Sequence, residues 1–490
     1  MDAMSFVAVA PEVALLVGAL LVLLVEITLE PDRRLLGAIT GAAVVFALAF
    51  SVWQWVHVAD VGAADQFSRM IRLDGFTAFG GIAVFVVTGI ALLAMWPMIP
   101  GLGRRGAEML ALVLLSAMGL HLMTASGNLI MLFVALEIAS ISLYVIAGFT
   151  RERADADEAA TKYFLLGSFA SAVFLYGIAL LYAATGSTYL YGASSVSEVL
   201  VESYFRSPGV LLAGIALVIV GLGFKVSAAP FHQWAPDVYQ GAPTGAVGFM
   251  AAGVKVAGFA AIGRVLVGGL ETRIDDWAPA VAVLAAVSII VGTALAIAQT
   301  DIKRMLAYSG VAHAGFILTG VLAGGDGVPA VWFYVATYAV QLVGAFTVVS
   351  ILEGPTSGRS AISDFSGLGS RSPLVAGSMA VLMLGLAGIP FTSGFIGKFV
   401  VFQAAASAGY MALVILALLG SVAGLYFYLR IIVVMFFQES AVAVGPGAAT
   451  ASPDPDRASS SALATSVAFT IAFGIAPWPL LNLLTDALPF

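Results

Sequence analysis

Apolar residues run along this 490-residue chain in blocks of about twenty, separated by short polar intervals. A helix rises about 1.5 Å per residue, so a block of that length matches the roughly 30 Å hydrocarbon thickness of a bilayer. The pattern predicts about fourteen membrane-spanning helices, at residues 6–28, 35–56, 75–97, 107–124, 128–149, 160–184, 209–239, 243–268, 278–299, 303–323, 329–352, 373–408, 410–437 and 461–485. The first block is too long for a signal-peptide core and lacks a small-residue cleavage site, so it is expected to remain as helix one. Two blocks, 209–239 and 373–408, are longer than one crossing and carry prolines inside, which predicts a break in each.

The intervals add organisation. Residues 440–460 (SAVAVGPGAATASPDPDRASS) are rich in Pro, Ala, Gly and Ser, and read as a flexible cytoplasmic loop within 438–460. The stretch SSVSEVLVESYF from Ser194 has amphipathic spacing and predicts a short surface helix. Intervals after odd-numbered spans hold Arg33, Arg34, Arg104, Arg105, Arg151, Arg153, Lys303, Arg304, Arg359, Arg371 and Arg457; those after even-numbered spans hold Arg69, Arg72, Arg206, Arg264 and Arg273. By the positive-inside rule both termini face outward.

Composition narrows the class. At 61% hydrophobic and 10% charged, the chain exceeds the apolar content of globular domains and is an all-α polytopic membrane protein. A formal net charge of −7 leaves no broad basic surface for nucleic acid. The absence of cysteine excludes disulfides, thiolate-ligated clusters and cysteine catalysis.

Candidate chemistry lies in the apolar blocks themselves. Four of the five lysines, Lys162, Lys225, Lys255 and Lys398, fall inside or at the edge of spans. A lysine at a helix centre costs roughly 2.5 to 3.5 kcal/mol on insertion scales, so several persist together when paired, hydrated or titrating for function. Low dielectric lowers a lysine's pKa by up to about 3 to 5 units, towards neutrality, and a nearby carboxylate opposes that shift. Glu137, in an otherwise uncharged block, is the natural modulator of Lys225. Lys255 reads as a central relay, Lys398 as the exit site, and His232 and His313 as hand-over groups.

Plainer roles stand beside these. A structural lysine bonded to loose carbonyls, a packing carboxylate at Glu137, a capping His232 and a core His313 are all compatible with the pattern. Lys162, near the cytoplasmic end, either snorkels or takes part. Asp237, Asp301 and Arg304 read as loop or interface charges, Glu12 and Glu26 as reaching the interfaces, and His57 and His121 as carrying no usable signal.

The two broken spans read GLGFKVSAAPFHQWAPDVYQGAPT and LGLAGIPFTSGFIGKF, each with a Pro-Phe pair and a lysine. Paired Gly/Pro-interrupted helices are a sign of repeat-built transporters. Residues 1–100 would then form three N-terminal spans, 107–268 and 278–437 two inverted five-helix repeats with breaks in helices 7 and 12, and 461–490 the C-terminal helix 14.

FKVSAAPFHQWAPDVYQGAPT, with GFMAAGVKVAGFAAIGRVL and TDIKRMLAYSGVAHAGFIL, resembles the antiporter-like subunits of proton-pumping NADH:quinone oxidoreductase, complex I, with wording similar to subunit N. The resemblance covers nearly the whole chain and implies the same helix count, repeats and outward termini. It places the family's charged residues on Glu137, Lys162, Lys225, Lys255 and Lys398. One departure is Gly310, where the family often has serine; no consequence is expected. The implied role is a membrane-arm subunit, in a bacterial cytoplasmic membrane, of an H+-translocating enzyme. Flavin, clusters and nicotinamide would sit in other subunits, with no cofactor or metal in this chain and neighbouring membrane-arm subunits as partners. A multi-subunit cation/proton antiporter shares the fold and remains the alternative.

Overall fold

The computed structural model of the chain describes residues 3–29, 31–150, 154–202, 208–353, 360–439 and 455–487. The first quarter holds α1 (Ala3–Leu29), α2 (Arg33–Val61), a hairpin of β1 (Ala64–Gln66) and β2 (Ile71–Leu73), α3 (Gly75–Met95) and α4 (Arg105–Ala125). Next come α5 (Leu129–Ala147), α6 (Ala154–Thr185), the surface helix α7 (Val196–Glu202), α8 (Pro208–Lys225), α9 (Trp234–Gly241) and α10 (Thr244–Ile262). The remainder comprises α11 (Ile274–Ala298), α12 (Ile302–Val321), α13 (Val328–Glu353), α14 (Leu368–Arg371), α15 (Pro373–Ala387), α16 (Ser393–Ser407), α17 (Met411–Phe437), α18 (Arg457–Ile475) and α19 (Trp478–Ala487). The hairpin pairs Ala64 with Leu73 in antiparallel register.

Among the described residues twelve helices are long and apolar enough to cross a membrane. α12, which carries Lys303, Arg304 and His313, and the broken pair α15/α16, whose halves run 15 residues each, are not among the twelve. Burial sorts the helices by position. All of the apolar window of α10 and its extension to Gly269 is buried, against 28% of that of α17. Outer helices present bare apolar side chains, such as Val45 and Phe46 on α2 and Leu419 and Val422 on α17, which only hydrocarbon or another subunit would cover at low cost.

Close helix contact depends on small residues. A Cβ on Gly292 of α11 would lie 2.3 Å from the Ala312 amide nitrogen, and one on Gly315 of α12 would lie 2.7 Å from the Ala285 carbonyl oxygen. Backbones thus touch directly along this pair, the way helices gain dispersion contact where lipid removes any hydrophobic drive.

Both expected breaks are present. α8 ends at Lys225 and α9 begins at Trp234; α15 ends at Ala387 and α16 begins at Ser393. Each gap holds a non-glycine residue in left-handed conformation, Ser227 (φ 57°) and Phe391 (φ 68°), a strain of order 1–3 kcal/mol that the surroundings must hold in place. They do so with hydrogen bonds: Ala228 N–H donates to Gly223 O at 2.8 Å, Ala229 N–H to Ser288 Oγ at 2.8 Å, and Ile389 N–H to Leu384 O at 3.0 Å.

Three sequence expectations change, and a fourth is not tested. The last span stops at Ile475, because Pro477 has no amide proton to continue the ladder, and α19 follows as a separate helix where 461–485 was expected to be continuous. The flexible loop at 440–460 lies mostly outside the described residues. Lys303 is not a loop charge: it is fully buried, with Nζ 2.9 Å from Thr244 Oγ1 and 3.5 Å from Glu353 Oε1. The fifth lysine therefore joins the other buried ones.

Arg264 is not a loop cation either. It is buried at the wound-out end of α10, with Nη1 and Nη2 each 2.6 Å from a carboxylate oxygen of Asp74, Nη2 2.7 Å from Thr77 Oγ1 and Nε 2.9 Å from the Thr124 carbonyl. Asp74 in turn caps α3 by accepting from Thr77 N–H at 2.9 Å. Burial pushes the Asp74 carboxyl up, but Arg264, the Thr77 amide and Arg72 outweigh it and hold the group below the usual carboxylate range. One guanidinium thereby ties α3, α4 and α10 together.

Breaking a buried pair by removing one partner costs roughly 3–5 kcal/mol. Arg264→Ala is expected to fall near the lower end of that range, about 3 kcal/mol, since Arg72 still reaches Asp74 at 3.1 Å. Thermal dissociation of the detergent-solubilised protein measures this. Because the folded Asp74 carboxyl is depressed, the stabilisation is complete above about pH 4 and disappears only as pH falls through the lowered value, so the wild-type midpoint should be flat across neutral pH.

Candidate functional site

The charged residues singled out from the sequence fall into two buried groups and a half-exposed bridge nearer the end of the bundle. In the first, Lys225 is the last residue of α8 and is buried, with Nζ 2.7 Å from Ser140 Oγ on α5. Glu137, half-buried one turn earlier on α5, accepts a hydrogen bond from Ser171 Oγ of α6. The expected partners thus each end on a serine rather than on one another. Ser140, Ser171, Tyr144 and Lys225 line one small cavity of about 10 Å³, close to the space a single water needs. Acid and base are therefore separated by two hydroxyls and a water-sized gap, a spacing over which a small side-chain movement makes or breaks contact.

Lys162 of α6 lies nearer the end of the bundle, with a side chain 41% exposed, and its Nζ is 2.6 Å from both Asp237 and Glu158. Asp237 of α9 receives Arg304 of α12 on its other oxygen at 2.6 Å, and Arg304 also donates to Gln240 Oε1 at 3.1 Å. Lys162, Asp237 and Arg304 form a half-exposed bridge across three helices.

The second group surrounds the first break. Lys255, buried at mid-α10, donates to the Val226 carbonyl at 2.7 Å. Interrupting α8 leaves carbonyls without intrahelical donors, and the ammonium satisfies one of them. Gly310 stands beside it: a Cβ there would lie 3.3 Å from Lys255 Cε and 3.1 Å from the Tyr338 hydroxyl oxygen. The departure noted at Gly310 therefore has a consequence, since the missing side chain leaves space between Lys255 and a buried, unpartnered tyrosine hydroxyl.

Tyr338 stacks on His313, ring centroids 4.5 Å apart. His313 is gripped at both nitrogens, Nε2 2.9 Å from the Tyr428 hydroxyl and Nδ1 3.0 Å from the Tyr334 hydroxyl; Ser309 Oγ bonds Tyr428 as well. Lys398 closes the row at the second break. Its Nζ donates to Ala387 O at 2.7 Å and Ser421 Oγ at 2.9 Å, and lies 5.2 Å from the Phe316 ring centroid. Gly388 at φ 83° makes room for it, because a Cβ there would lie 2.9 Å from Lys398 Cδ.

His232 sits in the first break with Nδ1 buried and unpartnered, its ring 6.0 Å from that of Tyr308. No described contact joins it to Lys225 or Lys255. The serines and tyrosines that connect the charged groups escaped sequence reading, because hydroxyls on apolar helices carry no periodic signal; only their helical offsets from Glu137 and His313 could have suggested them. Among the described residues no group of three or more His, Asp or Glu is placed to hold a metal.

Comparisons with known proteins place the fold in a family. Residues 126–424 match the family model described as NADH:quinone oxidoreductase/Mrp antiporter, transmembrane. NADH-quinone oxidoreductase subunit N 1 of Solibacter usitatus is 42% identical over 99% of this chain and 97% of its own. Subunit N of Mycobacterium tuberculosis is 45% identical over 79% of this chain and 72% of its own. A chain of respiratory complex I from Thermus thermophilus superposes with TM-score 0.80 and 33% identity, covering 97% of this chain and all of that one. A chain of the Mrp complex from a Dietzia species shares the fold, with TM-score 0.84 at 22% identity. The chain belongs to the NADH-quinone oxidoreductase subunit N family of antiporter-like membrane proteins.

Proposed function

We propose that this chain is the subunit N of a bacterial proton-translocating NADH:quinone oxidoreductase, embedded in the cytoplasmic membrane and carrying protons along the buried lysines while other subunits hold the redox groups. The observation that carries the reading is the row Lys225, Lys255, Lys398, three buried ammonium groups interleaved with serine, tyrosine and histidine hydrogen-bonding side chains. An inert bundle would be cheaper in apolar residues. Relatives at 42–45% identity carry the subunit N name, which favours this over a redox-free antiporter.

The physical cycle rests on charge. Glu137 near Lys225 favours the ammonium; drawing it towards the other side of Ser171 lowers the proton affinity of Lys225 and drives its proton inward. Glu137 sits on a face with exposed Val134, Ile141 and Val145 of α5 and Phe164, Leu165 and Phe169 of α6. A neighbouring membrane-arm subunit on that face would set the carboxylate's position. Lys255 then takes the proton across the first break, and His313 with its three tyrosines passes it to Lys398. Lys162 acts through Asp237 and His232 through local water. In this reading α4 to α10 and α11 to α17 are the two inverted repeats, each contributing one break.

Loss of a positioned proton-transfer group lowers rates by roughly 10²–10⁴-fold. Lys225→Ala and Glu137→Ala are expected to cut proton pumping and coupled quinone reduction by at least about tenfold in vesicles whose complex is shown to be assembled; unchanged pumping in both would make these charges structural. Tyr428→Phe removes one hydrogen bond to His313 and keeps the ring. Worth about 1 kcal/mol, that bond should slow pumping about fivefold without lowering the amount of complex, as stopped-flow acidification reads directly.

A further inference from the structure

A second buried polar cluster lies outside the lysine row, among α1 to α4. Glu12 does not reach the interface as its place near the start of the first span suggested. It is 94% buried by its 6% exposure, and its Oε1 lies 2.8 Å from Nδ1 of the fully buried His121 on α4. Four atoms of the same neighbourhood are buried without any partner: Glu12 Oε2, His121 Nε2, Ser51 Oγ and Gln54 Oε1. The side of α3 facing them is a bare glycine, since a Cβ on Gly81 would stand 2.4 Å from Ser51 Oγ and 2.8 Å from His121 Nε2.

The neighbourhood is built. Pro11 interrupts the ladder of α1 and leaves the Val7 carbonyl without its intrahelical donor. Gln54 Nε2 supplies that donor at 2.8 Å, which fixes the amide so that Oε1 is the free end. The ring of Phe85 packs on His121 at 5.1 Å between centroids. Each unpartnered buried atom forfeits a hydrogen bond it had in water, and a polar site with several such atoms is where ordered water resides. From the helix ends at Ala125 and Gly75, His121 and Gly81 lie about 6 to 9 Å inside the bundle, counted at 1.5 Å per residue.

We propose that Glu12 and His121, with ordered water on Ser51 and Gln54, hold one exchangeable proton, forming a proton-binding site at the hairpin end of the N-terminal helices. Uptake converts the glutamate–imidazole pair into glutamate–imidazolium, the proton arriving from bulk solvent through that water and leaving by the same route, so that the water is unchanged after each transfer. Of the other charged groups on the packed helices, Arg34 and Asp60 of α2 and Glu108 of α4 are exposed and Arg105 of α4 is half-buried, while several more are engaged elsewhere. His57 of α2 lies against Met4 Sδ, Asp74 before α3 is held by Arg264 of α10, Lys255 of α10 is bonded to Val226 O, and Glu137 of α5 to Ser171. Glu12 and His121 are thus a buried acid and base in direct contact, able to share a proton.

The site does not depend on the lysine row, and its test reads proton occupancy without turnover. The assembled complex is titrated from about pH 5 to 9, the range in which imidazole exchanges protons, and followed by infrared difference spectroscopy in sodium-free buffer. Glu12→Gln should remove a pH-dependent carboxylate signal, and His121→Gln, which deletes the group that takes up the proton, should leave that carboxylate signal without its titration. Gly81→Ala keeps both groups but crowds the water, and should move the midpoint by about one pH unit, a tenfold change in proton affinity. Superimposable titrations of wild type and Glu12→Gln would overturn the proposal, as would a wild-type signal abolished by added sodium, which would make this a cation site. If Glu12→Gln does not assemble, the comparison of wild type with Gly81→Ala or Ser51→Ala decides, identical midpoints counting against it.

Discussion

Hydrocarbon offers no hydrogen bonds, so every backbone carbonyl at membrane depth needs a partner inside the protein. That constraint governs this chain wherever a helix is interrupted. Val226 O at the first break and Ala387 O at the second are each answered by a lysine ammonium from another helix or from the helix that follows. The donor that repairs the backbone is therefore the same group that can bind and release a proton. When the lysine loses its proton it still has hydrogens to donate, but it no longer makes a charge-assisted bond, which is about twice as strong as a neutral one. The geometry of each break and the charge of its lysine are thus coupled in both directions.

The same economy appears in the N-terminal helices. Pro11 removes a donor from α1, Gln54 replaces it, and the spare oxygen of that amide becomes part of a polar neighbourhood around Glu12 and His121. Interruptions of helices in this fold do not merely bend the chain. They call for polar side chains at depths where apolar ones would otherwise be used, and those side chains bring chemistry with them.

What could be read from the sequence was what runs along the chain; what could not was what lies across it. Block length located the helices, and Pro230 and Pro390 with their flanking glycines marked the breaks, because these are local effects on one backbone. Lateral neighbours leave no such trace. Arg264 and Lys303 looked like loop charges since each stands near the end of an apolar block, yet Asp74 and Glu353 draw them inside. The last span looked continuous because window averages pass over Pro477. Lys225, Lys255, Lys398 and His313 were visible as polar residues in apolar surroundings. Ser140, Ser171, Tyr334 and Tyr428, which determine what those groups touch, were not, for serine and tyrosine are common on transmembrane helices for many reasons.

Asp237 divides one carboxylate between two cations on different helices, and the two arms are unequal. Lys162 is the more exposed, 41% against 27% for Arg304, and Arg304 has a second anchor on Gln240. Salt and thermal motion weaken exposed charge pairs first. This end of the molecule should therefore loosen in a fixed sequence: α6 peels away while α9 and α12 stay clasped. The carboxylate is at no stage left bare, so the rim can open towards α6 without exposing an uncompensated charge to the membrane.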